Sequence, residues 1–223
     1  MTEYTCYNGS TETNSIWAED NKVFYVYKGS NLVWKLHQYS GDQVLFESST
    51  AGSYQINVLD DGVYNVICVG GGGGGAQAGN KTAYHGAGGG SGGYSNEEIY
   101  LTRGTYTATV GQGGAVSRQW SGWAIAGDGG TSSFSTVNAT GGYGGRAHRD
   151  NGATGGAGGT GTTQNGNGGN AGGGSNVSYA GGASVYGGHG AGGNGYSGNA
   201  STMPYSNGGA SGYVKITYLR DSL

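Results

Sequence analysis

Proline is almost absent from these 223 residues, since Pro204 stands alone beside 54 glycines. That ratio excludes collagen, which needs proline-type rings at its X and Y positions. Charge is scarce too. Asp, Glu, Lys and Arg make up 10% of the chain, and from Gly111 to Tyr213 the charged side chains are Arg118, Asp128, Arg146, Arg149 and Asp150. A phosphate backbone is gripped by a dense stripe of Lys and Arg, so nucleic acid is excluded as a partner. No apolar run approaches the roughly 20 residues of a membrane span, and membrane insertion is not expected. The opening Met1-Thr2-Glu3-Tyr4 has neither a basic nor an apolar stretch, so no secretory leader is expected. Cys6 and Cys68 are the two cysteines, expected as reduced thiols, with Cys68 in a buried strand.

The constellations that carry chemistry are equally sparse. The histidines are His37, His85, His148 and His189, and no pair shows metal-ligand spacing with a cysteine or carboxylate. Gly88-Gly89-Gly90-Ser91 lies in a glycine block, without the strand–turn–helix setting of a nucleophile elbow. Glu97 and Glu98 are adjacent on an expected strand, so they point to opposite faces and cannot act as a pair. The sequence therefore predicts a non-enzymatic protein with no metal and no cofactor.

What is abundant is glycine, together with 18 Tyr and 4 Trp. Glycine at this level fits a disordered low-complexity segment, but such a segment has no need of aromatic, alternating runs. Val23–Tyr27 and Leu32–Trp34 read as a hairpin around Lys28-Gly29-Ser30-Asn31. Polar residues from Gln38 to Asp42 read as a linker. Strands follow at Val44–Phe46, Tyr54–Leu59, Val63–Val69, Glu97–Leu101, Thr105–Val110, Ser132–Ser135 and Tyr213–Tyr218. Asp60-Asp61-Gly62 reads as a hairpin turn, because Asp-Gly tolerates positive φ, and Thr102-Arg103-Gly104 as another. With no helical periodicity, the fold class is all-β, a jelly-roll-like antiparallel sandwich.

The glycines lie between these strands, at 70–75, 86–93, 141–145, 152–174 and 181–198, often at every third position. Gly152, Gly155, Gly158 and Gly161 form one such register, and Gly187, Gly190 and Gly193 another. Three residues per turn is the repeat of the polyproline-II helix. Ordering glycine is costly in entropy and brings no side-chain burial. Compensation has to come from lateral backbone hydrogen bonds between closely packed chains. The sandwich is thus expected to enclose or cap a polyglycine-II helix bundle. Residues 1–40 form an N-terminal segment with its β-hairpin, and 41–223 form the glycine-rich domain.

Gly62-Val-Tyr-Asn-Val-Ile-Cys-Val-Gly-Gly-Gly-Gly-Gly-Gly75 resembles the start of a glycine-rich domain common in bacteriophage tail and bacterial surface proteins. The likeness continues through Gly92-Gly93-Tyr94, Gly104–Gly114, Gly129–Phe134 and Ala139–Gly142, and ends at Gly212–Tyr218. A similar arrangement occurs in the glycine-rich ectodomain of anaplastic-lymphoma-type receptor kinases. Val23–Trp34 looks like a short element of phage tail and collar proteins. The resemblance implies a virion structural protein of the tail fibre, tail tip or appendage, with receptor-binding or capping loops. It implies a homo-oligomer such as a trimer, anchored to other virion proteins through the N-terminal segment, with Phe24, Tyr25, Tyr27 and Trp34 as assembly residues. A bacterial surface or filament subunit is the alternative, and an ice-binding protein a more distant one.

Candidate binding residues are the projecting side chains between glycine blocks. Arg118, Trp120 and Trp123 suit sugar stacking or a protein hot spot, though one Trp could instead cover the end of the sandwich. Arg146, His148 and Arg149 concentrate charge. Tyr179 and Tyr205, with Tyr186 and Tyr196, either line loop tips or flank the bundle. The expected ligand is a host cell-surface protein or glycan.

Overall fold

The computed structural model describes the backbone of residues 2–8, 11–19, 22–28 and 31–35. It describes residues 41–79, 84–173, 177–197 and 206–220 with their side chains. The chain divides into two compact units, Met1–Gly41 and Asp42–Leu223. In the first, β1 (Thr2–Asn8), β2 (Thr11–Glu19), β3 (Lys22–Lys28) and β4 (Asn31–Lys35) form an antiparallel sheet in sequence order. The expected hairpin is its second half. The side chains of Phe24, Tyr25, Tyr27 and Trp34 lie outside the described residues.

The second unit opens with β5 (Gln43–Ser48), β6 (Gly52–Val58) and β7 (Gly62–Val69). From β7 the chain runs out along 70–75 to β8 (Ala76–Gly79) and β9 (Tyr84–Ala87), and back along 88–93 to β10 (Tyr94–Leu101). After β11 (Gly104–Val110) it goes out along 111–116 to β12 (Ser117–Gln119) and β13 (Trp123–Ile125), returning to β14 (Ser132–Phe134). After β15 (Val137–Ala139) it leads to β16 (Arg146–His148) and β17 (Gly152–Thr154), then back along 155–160. A turn sends it out again along 166–170 to β18 (Ala171–Gly173) and β19 (Val177–Tyr179), then back along 180–183. Finally 190–194 leads to β20 (Gly195–Ser197), and 206–212 enters β21 (Tyr213–Arg220). No helix occurs among the described residues.

Two four-stranded antiparallel sheets, β10-β7-β21-β5 and β15-β14-β11-β6, form the sandwich. Alternation along β7 buries Tyr64, Val66 and Cys68, and β21 adds Val214, Ile216 and Tyr218. Facing them are Val58, Ala108, Val110, Phe134 and Val137, so the core is the period-2 face of both sheets. The two turns expected to close hairpins do not. β6 and β7 belong to different sheets, as do β10 and β11, so both connections cross between layers. Neither Asp61 nor Gly62 has positive φ. Instead the Asp61 carboxylate accepts the Arg103 amide at 2.5 Å, tying one crossover to the other. The buried Tyr64 hydroxyl donates to Asp60 O at 2.6 Å.

The glycine segments form the expected bundle. Gly70 and Gly73 donate to the 88–93 segment, Gly71 and Gly74 to 127–130, and Gly72 and Gly75 to 207–210, at 2.8–3.0 Å. Their carbonyls accept from the intervening directions, from Gly142 and Gly145, from Gly114 and Ser117, and from Gly193. Six neighbours thus surround one extended threefold helix, alternately antiparallel and parallel to it. The 88–93 segment is held in the same way, by 70–73, 140–143, 156–159, 167–170, 182 and 190–193. Both segments are fully buried, and every amide in them is paired. A methyl group on Gly72 would lie 2.0 Å from Ala191 O, and one on Gly90 1.9 Å from Ala157 O. Apart from Ser91, whose small side chain is buried in the 88–93 segment and accepts the Asn167 amide at 2.8 Å, the interior is glycine.

One expected register changes. Gly187 and Gly190 have φ of 55° and 63° and belong to a turn at the sandwich end, not to a continuous run with Gly193. There Tyr186 stacks on Tyr94 at 5.0 Å, and His189 on Tyr213 at 4.4 Å.

Candidate functional site at the far end of the bundle

An interior built of glycine, with Ser91 as its small exception, expels bulky side chains to the periphery or beyond the bundle's end. Along a threefold segment the outward position recurs every third residue, so the Gly-Gly-x runs display their x. Tyr143, Thr154, Ala157, Thr160 and Asp128 occupy such places and are exposed. Where the segments leave the sandwich furthest behind, the backbone pairs into short strands and the period becomes two. Ala76, Ala78, Ala87, Ala124, Ala126 and Ala147 pack inward there as a small core. Their neighbours Trp123, Ile125 and Arg146 face solvent as a consequence.

The structure brings most of the expected binding residues to this end. Trp120 lies in the bend between β12 and β13 and is 64% exposed, and Trp123 is 50% exposed. The length of the glycine segments separates both from the sandwich, so neither seals it. The Trp123 ring lies 4.9 Å from that of His148, its cross-strand partner. His148 Nδ1 accepts the Asp150 and Asn151 amides at 3.1 and 3.0 Å, which places its ring proton on Nε2 and shapes the 149–151 turn. His85 Nδ1 donates to Arg149 O at 2.9 Å, holding the turn from the other side.

Charge at this end is largely committed. Arg149 pairs with Asp150 at 2.8 Å. That hydrogen bond holds the Asp150 carboxyl below its ordinary range and raises the Arg149 guanidinium. Arg118 Nη2 donates to Ser206 O at 2.9 Å, fastening β12 to the last glycine segment. Arg146 is different. It is exposed, and among the described residues no carboxylate lies within ion-pair reach of it.

The tyrosines scatter. Tyr179 is half-buried, its ring covering Gly172, where a methyl group would meet it at 2.7 Å. Tyr196 is buried and Tyr186 stacks at the sandwich end, so neither lines a tip here. Tyr205 lies outside the described residues.

Sequence reasoning missed Ile125 and Tyr143. With Trp123, Arg146, Thr154 and Ala157 they line an open groove of about 490 Å³ on the flank of the bundle, floored by glycine backbone. Tyr143 was detectable as the x of Gly141-Gly142-Tyr143-Gly144-Gly145, a bulky residue that has nowhere to go but out. Ile125 follows from Trp123 by strand alternation.

Among the described residues no group of three or more His, Cys, Asp and Glu could hold a metal ion. No curated protein matches the chain. The glycine-rich domain model matches residues 48–219, from the end of the first sandwich strand into the last, and the chain belongs to that glycine-rich family.

Proposed function

We propose that the protein is a bacteriophage virion component of the tail-fibre, tail-tip or appendage type that acts by binding and not by catalysis. The observation that carries this reading is the segregation of side chains. A stiff, chemically uniform bundle holds Trp120, Trp123, His148 and Arg149 together at the end remote from the sandwich. Tryptophan and arginine dominate binding hot spots, because they bury large areas while keeping polar reach. In this reading the loops around them meet a host cell-surface molecule. The Met1–Gly41 unit attaches the protein, as a homo-oligomer, to its neighbours in the virion.

Particles carrying Trp120→Ala with Arg149→Ala test the receptor role of the loops. Adsorption to host cells should slow at least tenfold while the purified chain melts normally. Unchanged adsorption would refute the receptor role of the loops. A chain beginning at Asp42 tests the attachment role, since it should fold and yet fail to join the particle. Normal incorporation would refute the attachment role.

A further inference from the structure

The flank groove adjoins the loop tips and shares Trp123 with them, but its remaining walls are of different chemistry. Its walls are two ridges of outward residues, Tyr143 and Arg146 on one and Thr154 and Ala157 on the other, three apart in each case, with Trp123 and Ile125 closing one side. Trp123, Ile125 and Tyr143 are 50%, 57% and 56% exposed. Three large apolar groups so placed on one facet leave apolar surface in water without a partner. Beside them stands Arg146, a cation with no described counter-charge. The Ala157 amide donates to no described acceptor either. Thr154 adds a hydroxyl.

We propose that this groove is a saccharide-binding site, one pyranose ring lying against Trp123 and Tyr143. The inference rests on the receptor-binding reading above and names a ligand class for it. A pyranose has an apolar C–H face and a rim of hydroxyls. The aromatic faces take the first, while Arg146, the Ala157 amide and Thr154 take the second. The guanidinium, with no carboxylate in ion-pair reach among the described residues, favours an acidic sugar, and two of its five N–H donors can hold a carboxylate bidentately. At about 490 Å³ the groove falls within the roughly 300–1,000 Å³ typical of small-ligand clefts. An apolar peptide side chain would use the Trp and Tyr rings and leave Arg146 and the amide unanswered, so a peptide fits less well.

Saturation-transfer NMR on the full chain tests this, with methyl glycosides of glucose, N-acetylglucosamine and glucuronic acid as probes and an amphipathic peptide library alongside. Transfer to the ring C–H protons is expected, strongest for the glucuronide. Trp123→Ala and Tyr143→Ala should each weaken binding about three- to tenfold, the range for loss of an aromatic stacking contact. Trp123→Phe should restore part of it, and Arg146→Ala should remove the preference for the glucuronide. No transfer from any glycoside, transfer unchanged in both alanine variants, or binding of peptides alone would overturn the proposal. Loss of adsorption in the Trp120/Arg149 variant without glycoside binding would leave the receptor reading standing and the groove refuted.

Discussion

Replacing Gly73 by alanine isolates the rule that holds the bundle together. Gly73 donates to Gly90 O at 2.8 Å and accepts from Gly193 N at 2.8 Å. The added methyl would sit 2.1 Å from Tyr143 O, where ordinary contact begins at 3.4 Å. That carbonyl itself accepts Gly90 N at 2.9 Å. Making room requires the 140–145 segment to retreat by more than a hydrogen bond can stretch. Two or three buried groups then lose partners, at about 1–3 kcal/mol for each one left unsatisfied. The expected destabilisation is about 3–5 kcal/mol, a large share of the roughly 5–15 kcal/mol that holds an ordinary domain.

Gly168 provides the control. It lies in the same kind of segment but is exposed, has no positive φ, and offers a methyl only Gly156 O at 3.6 Å. There alanine restricts the unfolded chain without straining the folded one, and should stabilise by about 0.4–1 kcal/mol. Urea denaturation of the two variants, with melting scans, reads the difference as shifts of opposite sign. Equal midpoints for Gly73→Ala and Gly168→Ala would refute the reasoning.

Hydrogen exchange should follow the same map, slow at Gly72, Gly73, Gly89 and Gly90 and fast at Gly168; uniform coil-like rates would contradict the network. Burial pushes the Cys68 thiol up to about 12, so it should resist alkylation at pH 8–9 until the protein unfolds. Because this folded value is raised, the neutral thiol's contribution to stability is fully present below the unfolded value. It fades as pH rises toward 12, and Tyr213, raised by burial and then by Glu47, adds to the same alkaline loss. Denaturation midpoints that stay level from pH 8 to 11 would count against both. His148→Ala should leave global stability within about 1 kcal/mol, as for a lost surface-turn contact, while speeding exchange at Asp150 and Asn151, whose amides it caps.

Much of this architecture was legible because period and composition are local properties. Alternation along Val63–Val69 and Tyr213–Tyr218 marked the sandwich core, and the glycine triplets marked a threefold backbone. Even depth in the bundle is written locally. The runs 70–75 and 88–93 have neighbours on all six sides, whereas the Gly-Gly-x segments lie nearer the surface, 140–145 bonding to four described neighbours and 155–160 to three, with Tyr143 and Ala157 on their open sides. The resemblance of the motif series to the glycine-rich domain rested on the same residues.

Pairing was not legible, because a turn sequence reports local φ preference and not which sheet the next strand joins. Asp60-Asp61-Gly62 therefore reads as a hairpin and folds as a crossover, since the apolar faces of β6 and β7 are buried by being opposed, not adjacent. The groove was hidden for a similar reason. Trp123 and Tyr143 lie on separate excursions of the chain, and only the lateral bonds of glycine backbones, which carry no side-chain identity, bring those excursions into register. The sequence by itself determined that the interior would be glycine with little else, Ser91 being the small side chain admitted, and that bulky residues would be driven outward. Which outward residues face one another was decided by the packing of the segments alone.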